Sequence, residues 1–149
     1  MVLMYLLGSA WFIFLIYRLY FKKIKTLEDI IGRGYYYRLI GLKRKEKELY
    51  LDNLKDMKLK EDEKRELIYL LGIWHAQNKS YFDAIDYFDQ AFQNYNDNFY
   101  YKKEFEYVID SYIKCKQPKK AQSLLEFFLE RKKFDKKFVR LERKYSSLL

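Results

Sequence analysis

The chain has 149 residues, 50% of them apolar and 20% aromatic, and a formal charge of +9. It is long enough for one domain with a modest core, and a single proline, five glycines and dense charge between apolar positions favour helix nearly throughout. One cysteine excludes an internal disulfide, and with one histidine beside it a zinc or iron site lacks ligands, so neither metal nor cofactor is expected.

Met1 to Tyr17 carry no charge, and Arg18 is the one charged residue between Val2 and Phe21. A helix of about 20 residues rises about 30 Å, the thickness of a hydrocarbon core. Tyr17, Tyr20 and Phe21 with Arg18 and Lys22 make an aromatic and basic belt suited to lipid headgroups. A cleaved signal peptide would need basic residues before its apolar core and a small-residue site after it. A soluble core helix would need a polar face. Residues 1–21 therefore read as a single transmembrane anchor. Arg18, Lys22, Lys23 and Lys25 all follow it, so the positive-inside rule keeps the remainder in the cytoplasm, a periplasmic placement being the alternative.

Residues 22–60 are basic and lie next to this anchor. Thr26 and Asp29 predict a helix cap ahead of Ile30 and Ile31, with Gly32 and Gly34 interrupting or ending that helix. Leu42, Leu49, Tyr50, Leu54 and Met57 mark an amphipathic run after Gly41. Two readings stand for this stretch: a degenerate helical pair, or a basic stalk lying near the membrane.

From Lys60 the pattern sharpens. Glu61, Asp62 and Glu63 place acids where a helix macrodipole favours them. Leu67, Ile68, Leu71, Trp74 and His75, and then Tyr81, Ala84, Ile85, Phe88, Ala91 and Phe92, have the spacing of one helical face each. Asn78 to Ser80 form the turn between them, with Ser80 and Asp83 spaced to cap the second helix. Two helices joined by so short a turn lie antiparallel. Phe105, Val108, Ile109 and Tyr112 mark a further face. Pro118 opens the next helix, whose stripe is Ala121, Leu124, Leu125, Phe128 and Leu129. Phe134, Phe138, Leu141, Tyr145 and Leu148 predict a last amphipathic helix that closes the stack.

Leu71 and Gly72, then Tyr81, Ala84, Phe88 and Ala91, resemble the tetratricopeptide (TPR) consensus over residues 65–98, a repeat of about 34 residues. His75 stands where that family usually has Tyr, and Asn96 where its closing Pro falls. Ala121 follows Ala84 by 37 residues, close to one such period, so residues 101–131 read as a second, divergent repeat in which Ile109 and Phe128 replace small residues. The fold class is all-α: a transmembrane helix followed by a TPR-like array of hairpins, an α-solenoid over 61–149 with a C-terminal cap.

In TPR proteins the first helices of successive pairs line a groove for a partner segment. The resemblance implies a groove of Tyr69, Ile73, Ala76 and Gln77 from one pair and Lys103, Glu106, Asp110 and Ile113 from the next. The family's carboxylate-clamp positions hold Tyr69 and Ile73 here, so an apolar floor with charged edges fits an amphipathic helix or a mixed protein surface better. Catalysis is not expected: His75 reads as a core residue, Cys115 as a surface thiol, and Asp83, Asp86 and Asp89 as a solvated edge. The function so implied is a non-enzymatic, single-pass adaptor recruiting a protein partner to the membrane, compatible with a part of a motor or secretion apparatus. Two alternatives stand beside it. One is a tethered binder of nucleic acid or anionic lipid, for which Arg131 to Lys144 supply basic residues among aromatics, with nucleic acid the less expected ligand. The other is an import-receptor-like binder of amphipathic helices.

Overall fold

The computed structural model describes Phe14, Ile16, Tyr17 and residues 21–55 and 58–149. Among these residues all regular structure is helical. No helix among them is long and apolar enough to cross a membrane. The anchor read over 1–21 lies outside the described residues except at those three positions and Phe21, and Arg18, Tyr20 and Met57 lie outside them as well. The chain divides into two compact units, residues 1–64 and 65–149.

In the first unit, α1 (Leu27–Leu39) and α2 (Lys43–Lys55) form a hairpin. Thr26 Oγ1 accepts the Asp29 N–H at 3.3 Å, the cap its spacing predicts. The helix then runs straight through Gly32 and Gly34, contrary to the expectation that these end it. Gly34 is a packing residue: a Cβ there would lie 2.7 Å from Cζ of Tyr50 on α2. The break comes at Gly41, whose φ of +79° lets the chain reverse. The Leu42 N–H donates to Tyr37 C=O at 2.8 Å and the Gly41 N–H to Arg38 C=O at 3.1 Å. Arg38 Nε donates to Glu46 Oε1 at 2.9 Å, and the Tyr50 hydroxyl reaches the same oxygen at 3.2 Å. Glu46 is thus a buried charge with its partners in place. The contacts 34 to 50 and 38 to 46 run in opposite order, so the helices are antiparallel. Of the two readings for 22–60, the helical pair is what residues 27–55 adopt.

The second unit is built on α3 (Glu61–Gln77, here from Arg65 on), α4 (Tyr81–Phe92), α5 (Phe105–Lys114), α6 (Pro118–Leu129) and the short α7 (Val139–Lys144). Gly72 repeats the Gly34 device, for a Cβ there would meet Phe88 of α4 at 2.5 Å. Arg65 Nη1 donates to Ala91 C=O at 2.9 Å and His75 stacks on Tyr87, so α3 and α4 run antiparallel. The Tyr112 hydroxyl donates to Asp89 at 2.5 Å while Phe105 meets Phe92, which sets α5 antiparallel to α4. Phe105 stacks on Phe128 at 4.6 Å, setting α6 back along α5. The turns after α3 and α5 match the one after α1. Lys79 and Lys116 take positive φ (63° and 58°), and the N–H three residues beyond each helix returns to the carbonyl five residues back (Ser80 to His75, 3.0 Å; Gln117 to Tyr112, 2.9 Å).

Leu71, Gly72, Ala84, Phe88, Ala91 and Ala121 are all buried, and Tyr81 is half-buried. The rings of Phe92, Phe99, Phe105, Phe127, Phe128 and Phe138 fill the centre of the unit, with Phe105 touching most of them. Two local expectations give way. Ser80 makes no side-chain cap, because α4 starts directly from the tight turn. The terminal stripe is not one helix but a 3-10 turn (Lys136–Phe138), α7 and a second 3-10 turn (Ser146–Leu148). That segment buries Phe138, Leu141 and Tyr145 while Phe134 faces solvent.

Gly72→Leu should destabilise the chain by about 2 kcal/mol through overpacking against the Phe88 ring. Gly72→Leu with Phe88→Ala should recover part of that loss in chemical denaturation followed by circular dichroism.

Candidate protein-binding surface

The groove residues implied by the resemblance divide in two. Tyr69, Ile73 and Ala76 are only 5%, 1% and 3% exposed. Tyr69 is enclosed by the rings of Phe88, Phe92 and Phe105 and covered by the ammonium of Lys102 at 5.4 Å. Burial, with the Glu66 and Glu104 carboxylates nearby, pushes the Tyr69 phenol well above its ordinary value. These three residues are core, and the apolar floor is filled by the chain's own α5. Phe105, 5.9 Å from the Tyr69 ring, is part of that covering.

Gln77, Lys103, Glu106 and Asp110 do come together. They line an open hollow of about 340 Å³ with Glu104, Tyr107 and Lys144, on α3, the turn before α5, α5 and α7. Ile113 is exposed but does not line it. Lys144 is the residue that sequence reasoning missed here. Its Nζ lies 2.6 Å from Glu106 and 3.5 Å from Asp110, so it joins the C-terminal segment to α5. The Tyr145 hydroxyl donates to Asp110 at 2.8 Å, with Glu106 C=O at 3.1 Å. Burial and these carboxylate contacts push the Tyr145 phenol far up. For Lys144 desolvation opposes the charge, but Glu106 and Asp110 prevail and hold its ammonium above the usual lysine value. The basic outer side of the terminal stripe was the signal available, yet nothing in the sequence shows which base of that run folds back onto α5.

The hollow is polar, with three acids and two lysines around the Tyr107 ring, and it can exchange ion pairs with a mixed-charge partner. Cys115 is half-buried, and burial followed by the Asp86 charge raises its thiol pKa, which keeps it protonated. His75 is buried, 3.3 Å from Asp83. The acids read as a solvated edge are partly engaged, since Asp89 accepts from Tyr112 and lies 2.5 Å from Lys120. Lys22 is paired with Asp29, whose carboxyl is held below its usual value by that bond first, while Lys23 and Lys25 are exposed.

A second set of contacts joins the loop before α5 to the segment after α6. Arg131 is buried, its guanidinium 3.8 Å from the centre of the Phe127 ring and 4.6 Å from that of Phe99. It donates to Phe127 C=O at 2.5 Å and to Asp97 C=O at 3.1 Å, so it ties the loop after α4 to the end of α6. Asp135 accepts the N–H groups of Tyr101 at 3.0 Å and Lys137 at 2.9 Å. Those backbone bonds hold its carboxyl below the usual value.

No family model matches the chain, and neither a curated protein nor a solved structure does.

A raised ammonium pKa means that the Lys144 contacts contribute fully below the unfolded value of about 10.4 and are lost as pH rises through the folded one. Lys144→Met should therefore cost under about 1 kcal/mol at pH 7, Lys144 being partly exposed, and nothing at strongly alkaline pH. For Asp135 the sign is opposite. Its contribution is present above about pH 3.9 and is lost as pH falls through the depressed folded value, so Asp135→Asn should flatten the acid limb of stability against pH.

Proposed function

We propose that this chain is a non-enzymatic, membrane-anchored scaffold of stacked helical hairpins, of the TPR type, that recruits a protein partner to the membrane. The single observation that carries the reading is the convergence of Gln77, Lys103, Glu106 and Asp110 on one open hollow along the first helices of two successive pairs. Repeated devices support a hairpin array. Gly34 against Tyr50 and Gly72 against Phe88 are the same close approach, 38 residues apart, and the helix-ending turns at Gly41, Lys79 and Lys116 recur after 38 and 37 residues. The anchor is carried by the sequence alone, in the uncharged run before Arg18 and the basic flank after it.

With its apolar positions occupied by Phe105, this surface binds through charge and the exposed Tyr107 ring rather than by swallowing an apolar helix. That favours a folded partner of mixed charge over a basic amphipathic targeting helix. Tethering then raises the partner's effective concentration at the membrane without added contacts, as a component of a motor or secretion assembly would require.

Affinity purification of the full-length chain from its native membrane should recover a partner chain. Lys103→Glu with Tyr107→Ala should reduce that recovery by about tenfold or more while leaving the thermal transition unchanged. Undiminished recovery by the double variant would remove the surface from the interface.

A further inference from the structure

Two large rings stand in solvent side by side. Tyr100 is 70% exposed and Phe134 45%, with their ring centres 4.9 Å apart and 43° between the planes. The two residues come from different loops, and the fold holds them together. The Asp135 carboxylate takes the Tyr101 N–H, while buried Arg131 reaches back to Asp97, so the residues flanking both rings are fixed. Around them Lys133, Lys136 and Lys137 are exposed and have no ion-pair partner among the described residues. Arg140 lies 5.9 Å from the centre of the neighbouring Tyr101 ring and is exposed too. Lys132, by contrast, is neutralised by Glu142 at 2.7 Å.

We propose that the Tyr100–Phe134 pair with Lys133, Lys136 and Lys137 is a docking surface for an anionic lipid headgroup layer. Paired aromatic edges suit the boundary between headgroups and acyl chains, and unpaired lysines beside them meet lipid phosphate and carboxylate. The proposal deepens the membrane-anchored reading and rests on it: the same chain carries the apolar run read as its anchor. Nucleic acid is the less favoured occupant. Stacking of bases needs open ring faces, and here each ring covers part of the other.

The full-length chain serves as the probe, as Phe134→Cys and, separately, Tyr100→Cys in a Cys115→Ser background, each carrying an environment-sensitive fluorophore. The same label at Phe82→Cys, on α4 and 72% exposed, is the control. With vesicles of phosphatidylcholine containing phosphatidylserine, the labels at 134 and 100 should gain intensity and shift to the blue, and the label at 82 should not. Pure phosphatidylcholine, high salt, or Lys133→Glu with Lys136→Glu and Lys137→Glu should abolish the change. Flotation with neutral vesicles is scored in parallel and reports the anchor independently. A chain that floats while labels 100 and 134 stay silent on anionic vesicles overturns the docking surface and leaves the anchor. A chain that does not float yet responds overturns the anchor and leaves the surface. An equal response at 82, or a response to an oligonucleotide that exceeds the response to anionic vesicles, also overturns the proposal.

Discussion

The contact on which the second unit depends is an aromatic ring lying against bare helix backbone. Phe88 occupies the space that any side chain at 72 would need, which lets α3 and α4 approach closely over their middle turns. Ala84 and Ala91, at 0% and 2% exposed, are buried on either side of Phe88 along α4. The first unit uses Gly34 and Tyr50 in the same way. In the next pair the sizes are exchanged, with Ile109 and Leu125 at the corresponding positions, both fully buried. A ring against a glycine and two branched aliphatics against each other are alternative ways to fill one volume at crystal-like density.

That packing has a functional consequence. With Phe105, Phe128 and Phe138 stacked in the middle of the unit, the inner surface of the first helices has no apolar cleft left to offer. What remains is the rim, where Lys144 pairs with Glu106 and Asp110 beside Lys103 and Tyr107. Surface ion pairs of this kind add little to stability. They are correspondingly cheap to rearrange when a charged partner arrives, and they set orientation and partner choice more than raw affinity.

Charge is also distributed unevenly over the second unit. Arg131, a buried cation, spends its donors on two backbone carbonyls and its faces on two phenylalanines. The neighbouring lysines at 133, 136 and 137 are left to solvent. One cation of the run therefore builds the scaffold and the others decorate it, a division that composition conceals.

By itself the sequence determined the helical class, most helix positions, and the small residues at the tightest contacts. Those follow from local rules: periodicity at 67–75 and 81–92, proline at 118, the Thr26 cap, and the need for Gly or Ala where backbones meet. The TPR resemblance, rather than periodicity, named four of the residues around the hollow, Gln77, Lys103, Glu106 and Asp110. Only tertiary packing decided that Tyr69, Ile73 and Ala76 are core, that Gly32 and Gly34 lie inside a helix, and that the terminal stripe breaks into short turns. Each of those outcomes depends on a neighbour distant in the chain: Phe105 over Tyr69, Tyr50 under Gly34, and α5 receiving Tyr145. Periodicity tells which residues share a face. Whether that face is covered is set by the bulk of the side chains that come to meet it.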